Sequence, residues 1–367
     1  MENNDNSKRL LSLDALRGFD MLIITGVSAL IQAVCEAVPG GTESALYINM
    51  EHAWWDGFTF MDTIFPLFLF IAGMSFPFSY AKQCSKGRTK WQIYRKILTR
   101  GLILVLLGIA LNGFFRLDFA NLRIYSVLGR IGIAWMLAAV LYVCCRRPAR
   151  IAIAAALLLG YWALVALVPA PDSTAGPLTQ DGNIVGYVDR VLGLGVLYRG
   201  NFDPEGVLSN IPATVTAMLG MFTGEFIRSG RFSGPRKVAW MLAAAAVFLV
   251  LGLAWNTVFP INKNLWSSSF VLVCAAYSLA IFSLFYWIID VRGHKKWAIV
   301  FTVVGLNSIT IYTVTQIVDF WGVADWFLGG LAGYLGAWGP VLLAAGNLTL
   351  VWLLLYFLYR QKIFLKI

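Results

Sequence analysis

The chain has 367 residues, 59% of them hydrophobic and only 13% charged, with a mean hydropathy of +0.72. A water-facing globule needs nearer a quarter of its residues charged, so the composition excludes a soluble domain and predicts an all-α integral membrane protein. The formal net charge of +10 would elsewhere suggest a nucleic-acid partner; here the placement of the charges gives a different reading.

About 20 apolar residues cross a bilayer as helix. Runs of that kind fall at roughly 19–38, 58–80, 97–115, 124–145, 151–169, 206–227, 238–258, 267–289, 298–320 and 339–359, which predicts about ten transmembrane helices in one domain spanning 1–367. They share one composition, without soluble inserts or a visible inverted repeat. Lys and Arg mark cytoplasmic loops. With both termini inside, inner segments collect 23 of the 29 basic residues, among them Lys8, Arg9, Arg17, Lys96, Arg100 and Lys366. Outer loops hold Arg116, Arg123, Arg190, Arg199 and Lys263, and Arg130 falls inside the fourth span. The net charge is therefore mainly an orientation signal. The stretch MENNDNSKRLLSLDALRG lacks a small-residue cleavage site, so no removable signal peptide is expected. Cys35, Cys84, Cys144, Cys145 and Cys274 show no metal spacing, and neither a metal site nor a disulfide framework is predicted. The longest outer connection, roughly 170–205, would roof an extracytoplasmic site together with the 39–57 loop.

An ionisable group at the bilayer centre costs on the order of 3 kcal/mol, so each one is a functional candidate. Asp62 opens the run MDTIFPLFLFIAG, and Pro66 four residues later deprives its carbonyl of a helical N–H partner. The alternative is an interfacial Asp that is hydrated or caps the helix. Arg130, in LGRIGIAWML, could hold a phosphate or carboxylate with two donors, or pair with Asp62 as architecture. Asn112, Asn307 and Gln316 add amides to the spans; Asn307 could donate to a developing oxyanion, although hydrogen bonding between helices is the commoner role.

His52 lies in NMEHAWWDGFTFMD, just before the second span. If the helix starts there, His52 and Asp56 sit one turn apart, where the carboxylate can orient the imidazole as a general base requires. Trp54 and Trp55 would wall the site or anchor it at the interface. His294, in the basic stretch DVRGHKKW, reads as a solvated surface residue. In FPINKNLWSSSF, Pro260, Asn262, Lys263 and Asn264 make a polar turn and Trp266 begins a helix; Lys263 would bind an anion or pair with Asp203 or Glu205. The residues alone give a His-containing outer vestibule above a polar membrane interior, which suits a transferase or a transporter.

Taken in order, RLLSLDALRGFDM, HAWWDGFTFMDTIFPLFLFIAG, NLRIYSVLGRIGIAW, GYVDR, FDPEGVLSNIPA, PINKNLWSSSFVL, GLNSITIY and YRQKIFLKI resemble the heparan-α-glucosaminide N-acetyltransferase family and its bacterial relatives along essentially the whole chain. The resemblance implies an enzyme that moves acetyl from cytoplasmic acetyl-CoA to an amino sugar across the membrane. It puts the family's active-site histidine on His52, through the HAWW–G–T–D–FP pattern. His52 would act as general base, oriented by Asp56 or Asp62, with Asn307 at the oxyanion; an acetyl-His52 intermediate is the alternative route. Arg17, Lys96 and Arg100 are then candidate partners of the CoA phosphates, with Asn112 and Arg130 also on the donor side. Asn262, Lys263, Asn264 and Trp55 would face the acceptor. The chain departs from the family pattern at Ser28 and Asp56, where Asn is expected, which bears on acceptor identity. It also lacks the long luminal extension of the lysosomal members, which suggests a bacterial cytoplasmic membrane. Expected partners are acetyl-CoA, an amino sugar or glycan, and membrane lipid, with a homodimer as an option and no nucleic acid. An O-acetyltransferase of envelope polysaccharide and an amino-sugar transporter are the rival readings.

Overall fold

Lipid offers no hydrogen bonds, so a chain this apolar must satisfy its backbone within helices or a closed barrel. The computed structural model describes residues 10–364, and there the solution is helical; Lys8, Arg9 and Lys366 of the charge pattern lie outside the described residues. Apart from a one-turn helix at Ala45–Asn49 and short 3-10 turns, the helices among the described residues are α1 (Leu11–Ala37), α2 (Phe60–Ser85), α3 (Lys90–Leu111), α4 (Val127–Cys144), α5 (Arg147–Leu167), α6 (Ile184–Leu192), α7 (Asn210–Arg228), α8 (Gly234–Trp255), α9 (Ser268–Val291), α10 (Ile299–Gly305), α11 (Ser308–Thr315), α12 (Phe320–Tyr334) and α13 (Gly339–Arg360). Seven of the described helices are long and apolar enough to cross a membrane: α1, α2, α4, α5, α8, α9 and α13 with its short lead-in. The protein is thus an all-α, multi-pass membrane protein. α3 and α7 are of similar length, but α3 carries Lys90, Arg95, Lys96 and Arg100 in its first half, and α7 is interrupted by Thr and other polar residues.

Three elements differ from the sequence expectation. α1 begins at Leu11, well before residue 19, and contains a π-helical turn at Ile23–Val27. The expected span at 298–320 is two short helices that break at Leu306 and Asn307. α12 was not expected; Asp319 caps it by accepting from the Gly322 N–H at 3.0 Å.

α2 and α7 meet backbone to backbone. A Cβ at Gly73 would lie 2.1 Å from the Ala217 carbonyl oxygen, one at Gly220 2.0 Å from that of Phe70, and one at Gly224 2.3 Å from that of Met74. Small residues along such a seam allow close approach where lipid supplies no hydrophobic drive between helices. α2 stays a single helix through Pro66 and Pro77. It is thereby held firmly, and its first turn carries the candidate site.

Candidate active site

The site begins with the cap of α2. Thr59 precedes the helix, and Asp62 sits three residues on, in the capping-box position. Asp62 Oδ2 accepts from the Thr59 N–H at 3.1 Å and from the Thr59 hydroxyl at 3.0 Å. Its other oxygen, Oδ1, lies 2.9 Å from His52 Nδ1. One fully buried carboxylate therefore ends the helix and orients the imidazole.

Of the two carboxylates expected to orient His52, Asp62 does so and Asp56 does not. Residues 51–59 are not helical, so His52 and Asp56 do not share a helix face. The loop is fastened at both ends: Asn49 accepts from the Phe60 N–H at 3.1 Å, and the Thr59 hydroxyl donates to the Glu51 carbonyl at 2.6 Å.

A second segment closes on His52 from 211 residues away. The Asn262 side chain accepts from the Leu265 N–H at 2.8 Å, while its backbone carbonyl accepts from the Ser267 N–H at 3.0 Å. The Ser267 hydroxyl returns to the Pro260 carbonyl at 2.7 Å. This turn does not start a helix at Trp266, as expected; Trp266 is fully buried with φ at +52°, a left-handed conformation rare for a bulky residue, and α9 starts after it. The turn carries Lys263, whose Nζ lies 2.8 Å from His52 Nδ1, 3.2 Å from Nε2 and 3.4 Å from Asp62 Oδ1. Asn262 Nδ2 donates to Asp56 Oδ1 at 3.1 Å, and Asn264 donates to the Trp54 carbonyl at 3.2 Å. Lys263 does not pair with Asp203 or Glu205, because Arg123 holds both; it grips Asp203 with two bonds of 2.7 Å and also reaches Glu205. Burial, with the nearby Arg130 cation, pushes the Lys263 ammonium below the ordinary lysine value, against Asp62 and Glu205, which hold it up.

The remaining expected site residues are scattered. Trp55 turns away, donating to the Leu178 carbonyl at 2.8 Å and packing edge-on against Phe202, whereas Trp54 is 77% exposed beside His52. Arg130 does not pair with Asp62. Its guanidinium donates to the Pro204 carbonyl and the Ser209 hydroxyl and lies 4.7 Å from the Trp266 ring centre. Asn112 ends α3 by donating to the carbonyls of Arg123 and Tyr125, far along the helix from Lys96 and Arg100. Asn307 lies at the α10–α11 break and donates to the Ile363 carbonyl at 3.0 Å, away from the groups around His52.

At the other end of the bundle, Lys96 and Arg100 line a cavity of about 820 Å³ with Lys86, Arg88 and Arg95, and none of its lining residues is acidic. Arg100 stacks 4.5 Å over Trp135, and Arg17 beside it donates to the Ser75 hydroxyl at 2.8 Å. Such a set suits phosphate groups.

Sequence reasoning missed Arg123, Asp189 and Asp20. Arg123 lies in a quoted motif, but its partners are 80 residues away, which spacing cannot reveal. Asp189, fully buried on α6, accepts from the Val207 N–H at 2.9 Å, and burial pushes its carboxyl up to about 6. Asp20, on α1, has no hydrogen-bond partner for either oxygen among the described residues, and neither has the Tyr277 hydroxyl. A charged residue inside the first apolar run was the available signal for Asp20.

No family model matches the chain. It is 28% identical over 417 residues to the human heparan-alpha-glucosaminide N-acetyltransferase, covering 98% of this chain and 60% of that protein. To the mouse protein of the same name it is 27% identical over 420 residues, covering 99% and 61%. The chain thus spans about three fifths of the length of the curated relatives it matches. The likeness runs along nearly all of this chain's own length, so the chain is similar throughout to the heparan-alpha-glucosaminide N-acetyltransferases of both organisms.

Proposed function

We propose that the chain is a transmembrane N-acetyltransferase that moves acetyl from cytoplasmic acetyl-CoA to a glucosamine-type acceptor on the opposite side of a bacterial cytoplasmic membrane. The observation that carries this reading is the 2.9 Å contact between His52 Nδ1 and a buried carboxylate of Asp62, in a chain whose curated relatives are named as N-acetyltransferases. The carboxylate calls for the proton on Nδ1 and leaves the lone pair on Nε2, on a half-exposed ring with the Lys263 ammonium 3.2 Å away. That is the arrangement of a general base.

In this reading His52 Nε2 removes the proton from the acceptor amine as its nitrogen bonds to the thioester carbon. The carbon–sulfur bond then breaks, and the expelled thiolate recovers a proton and leaves as CoA thiol. Asp62 stabilises the transient imidazolium. Lys96 and Arg100, with Lys86 and Arg88, hold the phosphate-rich end of the donor, and a cavity lining with five basic residues and no acidic one supports that fit.

The reading also needs a topology. Ten crossings arise if α3 and α7 cross with the seven apolar helices and α10 and α11 together make one more, leaving both termini in the cytoplasm. α12, at 15 residues, is about 22 Å long and too short for a core of about 30 Å. The strongly basic flanks of α3 support placing the cavity end inside and His52 outside.

The test is acetyl-CoA consumption by protein in nanodiscs with glucosamine present, wild type against His52→Ala. Acceptor-dependent turnover that the substitution abolishes, with acetyl-CoA binding retained, supports the proposal. Turnover only with hydroxyl acceptors would move it to O-acetylation. Folded protein that neither binds nor consumes acetyl-CoA would overturn it.

A further inference from the structure

The geometry points to Lys263 as the residue that keeps His52 in its unprotonated, base-competent form. The inference deepens the reading of His52 as a base and rests on it. A carboxylate 2.9 Å from an imidazole favours the imidazolium, because the positive ring is attracted to it. Lys263 opposes this. Its Nζ is within 3.2 Å of both ring nitrogens, so protonating the ring would set two positive charges in contact. The same ammonium lies 3.4 Å from Asp62 Oδ1 and gives the carboxylate a counter-charge that does not depend on the state of His52. The side chain has little freedom to withdraw: it is 17% exposed and rises from the turn that Asn262 and Ser267 hold together.

The charged groups around the trio do not reverse this balance. Glu205 and Arg130 both act on Lys263 from behind, with opposite signs, and Glu205 is already committed to Arg123. Asp56 is engaged by Asn262. The Cys274 thiol on α9 is buried and faces Asp62 and Lys263. Glu51 precedes His52 in the chain and is fully exposed to screening solvent. Lys263 is a positioning residue in this account: it exchanges no proton with the acceptor and forms no bond.

The chain has two histidines, so a His294→Gln background leaves His52 as the one imidazole available to diethylpyrocarbonate, which reacts with the neutral ring. The rate of His52 modification against pH then reports its titration without any need for turnover. In Lys263→Met the midpoint is expected to rise by about one pH unit or more, a tenfold change in the imidazolium-to-imidazole ratio. Lys263→Arg, which restores the cation, is expected to return it to near the wild-type value. If Lys263→Met fails to fold, judged by gel filtration, Lys263→Gln carries the same expectation. A midpoint that stays in place or falls when the cation is removed overturns the inference. So does a rise that Lys263→Arg does not reverse, which would mark a merely structural role. Absence of acetyl transfer in the wild type would sink the acetyltransferase reading and leave this titration standing; an unmoved midpoint would sink the role of Lys263 and leave the reaction intact.

Discussion

Asp62→Asn separates the two tasks of that residue. The amide oxygen can still accept from the Thr59 N–H and hydroxyl, so the cap of α2 survives, but the charge facing His52 is gone. A carboxylate and an imidazolium 2.9 Å apart attract by about 6 kcal/mol at an effective dielectric of about 20. The His52 side chain is 53% exposed, and solvent screening cuts that figure to about 3 kcal/mol. In the proposed reaction the imidazolium forms as the acceptor loses its proton, so the expected loss falls on the transition state. At about 1.4 kcal/mol per tenfold, kcat/KM should drop roughly a hundredfold while acetyl-CoA affinity is unchanged. The assay is glucosamine-dependent thiol release in nanodiscs, with binding of acetyl-CoA measured separately and melting temperature as the control for folding. Lys263 loses its counter-charge as well, so the variant should melt a few degrees lower. An Asp62→Asn protein that turns over within about threefold of wild type would refute the reasoning, because the carboxylate would then contribute nothing to the base.

Asp189 gives a prediction about pH and stability. With its carboxyl pushed up to about 6, folding favours the protonated form; that stability is complete below about 3.8 and is lost as pH rises through 6. Asp189→Asn should therefore melt higher than wild type at pH 7.5, by about 2–3 kcal/mol in stability, and lose the difference between pH 5 and pH 7.5 that wild type shows in thermal scans. Lys96→Ala and Arg100→Ala should each weaken acetyl-CoA binding about tenfold in calorimetry, with Lys90→Ala, on the same helix outside the cavity lining, as the neutral comparison; an unchanged Kd in both would remove that cavity from the donor path. Gly220→Ala places a Cβ 2.0 Å from the Phe70 carbonyl oxygen and should cost about 1–3 kcal/mol, seen as a lower melting temperature, whereas Gly230→Ala, with nothing within 4 Å, should leave it unmoved.

The sequence revealed most where the signal is local and least where it is tertiary. Apolar runs longer than 18 residues showed α2, α4, α5, α8, α9 and α13 because membrane insertion is decided run by run. The break at Leu306 and Asn307 lies inside such a run, and one Asn beside a Ser is too short a polar step to end a predicted span. FWGVADWFLGGLAGY falls almost wholly outside the predicted spans; its glycines argue against helix, and Asp319, as a cap, argues for it. Around His52, helical spacing points to Asp56, but the helix begins only after Thr59, and the non-helical stretch 51–59 returns His52 to Asp62, the other carboxylate expected to orient it. Lys263 reads in the sequence as a cation for an anion or for Asp203 or Glu205; its approach to His52 depends on the turn built by Asn262 and Ser267, which spacing does not show. The motifs contained the right residues; only the packing of distant segments says which of them touch.

Backbone contact along Gly73, Gly220 and Gly224 also limits how the molecule can move. Packed helices slide past one another when the side chains between them can hop from one arrangement to the next. α2 and α7 have no such layer along this seam, so they travel as one rigid post, with the loop that carries His52 fastened at its top. The interrupted helices, at the π turn of α1 and the α10–α11 break, are the segments left with room to shift against that post.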